Sequence, residues 1–364
     1  MSWNGSGTFQ INSSGQPVVA GTVISDSVFN ALTADLASGL SNCITKDGQQ
    51  TVTANIPMAG FKFTGLGRGT ASTDSARMDN AMIQDVCECR ISASTTVAVP
   101  TSDVTAATFI TAIPYKGTKI ALYNGTQWIL STLSSPVSGA IPATTNTNYD
   151  VYAFDSSGTV QLNAVAWASD TARTFALTTQ DGVLVNPTNS LQRYLGTFRT
   201  TTVAGQTEDS RTKRFVWNYY NRVRRAMRVL PGSNWTYDSA TIRQANNSTT
   251  NQLAYVIGWQ EDSVEFSVHG WTSNSTGGAR AASFGIGLSS TTAVSGDCIC
   301  QGTAGIAASP ADEIHPLSAR LNTMPTLGYQ YATWLETSNT TATNTFYYQL
   351  GAMTQSGMTG SILA

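Results

Sequence analysis

Between residues 119 and 197 turn signals recur at the spacing of hairpins, and this constrains the fold more than any other feature of the chain. Lys119 to Tyr123 and Thr126 to Leu130 flank Asn124-Gly125, a strong short hairpin signal. Tyr149 to Phe154 and Thr159 to Trp167 flank Asp155-Ser156-Ser157-Gly158. Arg173 to Thr178 and Val183 to Val185 flank Gln180-Asp181-Gly182, and Leu191 to Thr197 closes the set. Such a meander is expected to form an antiparallel sandwich or an open barrel.

Composition points the same way. Charged residues make up 12% of the chain, against about 25% in an ordinary soluble domain. Ser, Thr, Asn, Gln and Gly take their place, with Gly alone numbering 31. An amphipathic helical bundle would need Glu, Lys, Arg and Leu on its faces. Long disorder would carry a strong net charge, whereas Lys+Arg 20 against Asp+Glu 22 gives −2. That near-neutrality argues against a nucleic acid or an anionic membrane held by bulk electrostatics. No run has the length of an apolar membrane span, so no membrane insertion is expected. Met1-Ser2-Trp3-Asn4-Gly5 has neither a basic nor an apolar leader, so no secretory route through its own signal is expected.

Five cysteines include two pairs one residue apart, Cys87-Glu88-Cys89 and Cys298-Ile299-Cys300. In a strand this spacing puts both thiols on one face, roughly 7 Å apart along it, too far for an unstrained bridge. With His269 and His315 as the only histidines, no metal site and no cofactor are expected.

Residues 1–85 read as one unit with little core of its own. An extended arm runs to Thr22, and from Ser25 or Asp26, either a fair N-cap, Val28, Leu32, Leu36 and Leu40 recur every fourth residue. This stripe has nothing local to bury it. Thr73 or Asp74 would cap a second short helix running to about Gln84.

The run Asn55-Ile56-Pro57-Met58-Ala59-Gly60-Phe61-Lys62-Phe63-Thr64-Gly65-Leu66, followed by Thr73-Asp74-Ser75-Ala76, resembles a recurrent motif of tailed-bacteriophage tail fibres, with Ser75 where the family usually has Ala. The resemblance implies a homotrimeric fibre whose N-terminal part faces the virion. Docking and trimerisation would then fall to Val28, Leu32, Leu36, Leu40, Pro57, Met58, Phe61 and Leu66. Further along, Asn148-Tyr149-Asp150-Val151-Tyr152, Trp167, Arg193-Tyr194-Leu195-Gly196-Thr197 and Arg214-Phe215-Val216-Trp217-Asn218-Tyr219-Tyr220 resemble a module of phage virion proteins.

The expected organisation is a mainly β chain with a short helical N-terminal anchor and two antiparallel sandwich or barrel-like domains, the last of jelly-roll type. The divisions are an attachment and trimerisation region at 1–85, a Ser/Thr/Val linker at 86–104, a β meander at 105–210 and a distal, receptor-facing sandwich at 211–364. In the last, Leu253, Tyr255, Ile257 and Trp259 alternate on one face. Val264, Phe266 and Val268 alternate with Glu265, Ser267 and His269.

Three constellations have functional readings. Arg211, Lys213, Arg214, Arg222, Arg224, Arg225 and Arg228 could meet an anionic glycan or nucleic acid, but their alternation with Phe215, Trp217, Tyr219 and Val223 favours ion pairs across a domain boundary. Glu261, Glu265 and His269, flanked by Trp259 and Trp271, share a parity that a glycosidase could use, yet surface strands alternate polar residues routinely. Trp271, Tyr329, Tyr331 and Trp334 are candidate platforms for a host glycan or lipopolysaccharide, since sugars stack on aromatic faces while amides take their hydroxyls. No P-loop, G-x-S-x-G or H-E-x-x-H occurs, and no catalytic residue is assigned.

The functional expectation is a virion component, a homotrimeric tail fibre that attaches to the host surface and docks on other tail or virion proteins. A head fibre or tail adaptor is the alternative, and a glycan depolymerase the third reading.

Overall fold

The computed structural model describes residues 19–41, 43, 51–53, 55–67, 83–274, 278–303, 306–309, 313–340 and 343–364. The chain divides into two compact units, Met1–Gly67 and Arg68–Ala364. The described residues of the second are mainly antiparallel β and form no closed barrel.

In the first unit the expected helix spans Asp26–Ser41. Ser25 caps it: its backbone carbonyl takes the Phe29 N–H at 3.1 Å, and its hydroxyl accepts the Val28 N–H at 3.4 Å. Val28 and Leu32 are half-buried, while Phe29, Leu36 and Leu40 are 55%, 42% and 70% exposed. Downstream, Phe61 N–H donates to Met58 O at 2.8 Å across a turn in which Ala59 and Gly60 both have positive φ, 45° and 87°. An alanine in that region is uncommon, and the turn it closes leaves Phe61 exposed. Pro57 is exposed, Met58 half-buried and Leu66 exposed. The second helix lies outside the described residues, except for a single 3-10 turn at Ile83–Asp85.

The second unit begins with a sheet in the order Cys89–Ser92, Phe109–Pro114, Val137–Ala140. Residues 86–104 are therefore not a linker. All four residues of Cys89–Ser92 are buried, and the strand pairs in register with Phe109–Pro114. Ile91, Ile110 and Ala112 pack with Val151, Val160, Leu195 and Phe198 of a larger sheet. There Thr159–Ala166, Asn148–Ser156 and Asn189–Arg199 lie side by side, and Asn189–Arg199 takes both Val183–Asn186 and Val216–Asn218 on its far edge.

The turns explain this meander, with changes from the sequence reading. Ser157-Gly158 and Asp181-Gly182 are two-residue turns with positive φ at both positions, the twist that antiparallel strands favour. Asn124-Gly125 instead sits in a four-residue loop between Tyr123 and Trp128, because Asn124 Oδ1 accepts the N–H groups of Thr126 at 3.0 Å and Gln127 at 2.9 Å. Arg173 is not in a strand, which starts at Thr178. Its guanidinium grips Asp150 at 2.6 and 3.1 Å and stacks over Trp167.

The C-terminal part is a two-sheet sandwich. One sheet runs Arg243–Gln244, Gly328–Thr337, Gln252–Ile257, Lys213–Arg214, Thr207–Asp209, Val104–Ala107, with Ser283–Leu288 on the other edge of Gly328–Thr337. It draws strands from either side of residue 210, so backbone hydrogen bonds cross that division. The facing sheet runs Arg224–Val229, Gly357–Leu363, Val264–Asn274, His315–Thr323, Cys298–Gln301, and Asn344–Tyr347 joins it to Trp235–Tyr237. Tyr255 of the first sheet meets Phe266 of the second at 5.5 Å between ring centroids, and Trp334 and Phe284 meet Trp235 and Phe346. Leu253, Tyr255 and Ile257 are buried as a set, but so are Ala254 and Val256: this strand is covered on both faces.

Both cysteine pairs differ from expectation. The thiols of Cys87 and Cys89 stand 3.8 Å apart and those of Cys298 and Cys300 3.4 Å apart, because rotamers on one face can lean together where backbone positions cannot. All are free thiols.

Candidate functional site

Register assembles the site. On the sheet that carries Val264–Asn274, every second residue points away from the core: Val264, Phe266 and Val268 are buried, while Glu265 and His269 are exposed and Ser267 half-buried. The pairings extend this alternation across five strands. One outward row reads Ala226, Ser361, Glu265, Asn322; the next Arg228, Thr359, Ser267, Arg320, Ile299; the third Gly357, His269, Ser318, Gln301. Adjacent strands lie about 4.8 Å apart, so Arg228 and Arg320 stand roughly 14 Å apart along their row with small hydroxyl residues between them.

A shallow groove of about 580 Å³ follows this face, lined by Glu265, Ser267, Asp297, Ile299, Arg320 and Asn322 among others. Ile299, 77% exposed, gives it an apolar wall. Glu265 accepts a hydrogen bond from Arg224 at 2.8 Å, and Arg224 also donates to the Ser361 hydroxyl at 2.7 Å. Asp297 accepts the Thr323 hydroxyl at 2.6 Å. Trp271 continues the same parity beyond His269, with ring centroids 4.6 Å apart and planes at 80°. An open face of this kind, with hydroxyls, amides, two carboxylates, guanidiniums and an aromatic at one end, offers hydrogen-bond donors and acceptors beside a ring face, the chemistry that sugar hydroxyls and their apolar faces can use.

The four aromatic candidates do not form one site. Trp271 is half-buried on this outward face. Tyr329 and Tyr331 belong to the other sheet and lie on the side of it opposite Tyr255, where Arg199 covers the Tyr329 ring at 3.8 Å and Phe215 meets its edge. Trp334 must be withdrawn as a platform: it is 0% exposed, wedged in the core against Trp235 and Phe284, and offers no face to a sugar. Glu261 also leaves the constellation with Glu265 and His269. It lies before the strand begins and pairs with Arg222, which holds Asp262 at 2.6 Å as well.

The arginine run resolves largely into ion pairs. Asp209 takes both Arg214 and Arg225, each at 2.8 Å, and Glu208 takes Lys213 at 3.0 Å. Burial pushes the Arg225 guanidinium down from its usual range, Asp209 opposes that shift, and Arg214 adds to it. Among the described residues no group of three or more His, Cys, Asp or Glu could hold a metal ion, and no helix is long and apolar enough to cross a membrane. Arg320, Asn322, Ile299 and Thr359 of the outward face carry no local motif and were missed by sequence reasoning; alternation on each strand was their only signal.

No protein-family model matches the chain. No curated protein matches it. Among solved structures, it is similar to a Bacillus thuringiensis Cry1Da tryptic core variant at 9% identity, with 70% of this chain and 48% of that chain covered and a TM-score of 0.17. It is also similar to infectious bursal disease virus Gx strain at 10% identity, with coverage of 71% and 76% and a TM-score of 0.14. The chain thus spans about half the length of the first. At these TM-scores neither likeness bears on the function.

Proposed function

We propose that this chain is a structural component of a bacteriophage virion, a homotrimeric tail fibre whose C-terminal sandwich meets a glycan on the host surface. The observation that carries the reading is the helix Asp26–Ser41, whose Phe29, Leu36 and Leu40 are exposed at 55%, 42% and 70%. An exposed apolar stripe marks a contact surface, and a neighbouring copy is the partner we read for it because the motif around Pro57-Met58-Ala59-Gly60-Phe61 resembles one found in trimeric fibres. The outward sheet face supports the distal role. Weak saccharide contacts repeated over three chains gain strength by avidity without any tight single site.

Light scattering on the full-length protein at micromolar concentration should give three times 38.5 kDa. A monomer mass would remove the trimer and the reading with it. For the distal face, Trp271→Ala should lower adsorption of the isolated protein to host cells several-fold while leaving the trimer mass unchanged. Release of reducing ends from purified host polysaccharide, abolished by Glu265→Gln, would instead make the groove an enzyme site.

A further inference from the structure

Where the segment before Val104 passes the edge strand Arg224–Val229, a cleft of about 500 Å³ is lined by five arginines: Arg211, Arg214, Arg224, Arg225 and Arg228. A second opening of about 510 Å³ runs past Arg211 and Arg228 along Thr101, Ser102 and Asp103. Three carboxylates answer these five cations. Asp209 is shared by Arg214 and Arg225, Glu265 pairs with Arg224, and Asp103 accepts the backbone N–H of Arg211 at 2.9 Å. Five positive against three negative charges leave an excess of two.

One unit of that excess sits on Arg214 and Arg225, which share Asp209, and the other on Arg211 and Arg228 beside Asp103. Among the described residues neither the Arg211 nor the Arg228 guanidinium has a carboxylate partner, and both side chains are exposed. The Arg228 N–H donates to Arg211 O at 2.9 Å, which fixes the two residues side by side. Beneath them Arg214, whose side chain is 8% exposed, has a buried Nε without a hydrogen-bond partner. Its terminal nitrogens are engaged, Nη1 by Asp209 at 2.8 Å and Nη2 by Ala226 O at 2.6 Å, so it contributes positive charge to the cleft lining. Two guanidiniums without a carboxylate partner, fixed side by side, suit an oxyanion with several acceptor oxygens.

We propose that this cleft binds a phosphate monoester carried on a sugar. The charge count selects phosphate over carboxylate: a phosphate monoester carries about −1.5 to −2 at neutral pH with three acceptor oxygens, matching the excess of two, whereas a carboxylate would neutralise half of it. The sugar follows from position. The cleft and the groove on the outward sheet face share Thr359 and Gly360, so a saccharide lying along the groove places a phosphate substituent among the arginines. The choice of a sugar rests on the glycan reading; the anion site rests on the cleft alone and is independent of the trimer and of the virion.

Calorimetric titration of the full-length protein with glucose 6-phosphate, glucose, glucuronate, inorganic phosphate and a single-stranded oligonucleotide tests this. Glucose 6-phosphate should bind at least about tenfold tighter than glucose, glucuronate or inorganic phosphate, and the double variant Arg211→Ala, Arg228→Ala should lose about tenfold. Both side chains are exposed, so circular dichroism should be unchanged. Arg228→Lys, which keeps the charge and loses the fork, should lose part of the affinity. Equal affinity for glucose 6-phosphate and glucose, or no loss in the double variant, overturns the site. Glucuronate binding as tightly overturns the phosphate assignment, and inorganic phosphate doing so overturns the sugar. Tighter binding of the oligonucleotide, lost in the same variant, reassigns the cleft to nucleic acid and also overturns the proposal.

Discussion

A fragment beginning at Val104 is expected to lose its cooperative fold, whereas one beginning at Arg68 keeps it. The strand Cys89–Ser92 completes the first core: Cys87, Cys89, Ile91 and Ala93 are all buried there. Burying one large apolar side chain is worth about 1.5–3 kcal/mol. Removal of the strand also strands polar groups far away in sequence. Asn218 accepts the Ile91 N–H at 2.7 Å and donates to Ile91 O at 3.0 Å, and Asn221 donates to Cys87 O at 2.8 Å and Cys89 O at 3.1 Å. Each buried polar group left without a partner costs about 1–3 kcal/mol. Together these losses rival the whole stability of a domain, about 5–15 kcal/mol. Thermal unfolding followed by circular dichroism should show a sharp transition for the fragment from Arg68 and none for that from Val104. A sharp transition at the same temperature in both would contradict the role given to this strand.

The largest effect expected of a single substitution is at Asp209, which is 5% exposed and holds Arg214 and Arg225, themselves 7% and 6% exposed. Asp209→Ala leaves two buried guanidiniums without their counter-charge, a change that typically costs about 3–5 kcal/mol. Asp209→Asn keeps the shape but not the charge, and should recover little of that loss. Urea unfolding should show the midpoint falling with the slope unchanged. A loss below about 1 kcal/mol, the scale of exposed pairs, would mean that solvent screens these arginines.

How far the sequence was legible follows from the range of the signals. Ser25 and the Val28, Leu32, Leu36, Leu40 spacing act within one helix, and the helix stands where they place it. Asp181-Gly182 acts within one turn and set a hairpin correctly, while the Asn124 side chain captured two backbone N–H groups and lengthened its loop. Cys89–Ser92 was hidden because the connection to its partner strand is far longer than a hairpin turn, carries Val104–Ala107 of another sheet, and is Ser- and Thr-rich. Arg193 is 0% exposed and donates to Gln84 O, Val86 O and Ala121 O; a residue type normally read as surface is buried through carbonyls that no local pattern announces.

The candidate face was harder to read for the same reason. Arg228, Thr359, Ser267, Arg320 and Ile299 come from five strands and meet only through register. Trp271 could be placed on it by parity with Glu265 and His269. Trp334 could not be judged, because its strand has neighbours on both edges and a core beneath it.

The proposal that this chain is a trimeric fibre on the outside of a virion is tested most directly by a cryo-EM map of the intact particle. The expected result is three copies of the chain wound together at the periphery of the tail. Density for the chain as a single copy, or its absence from the purified particle, would contradict it.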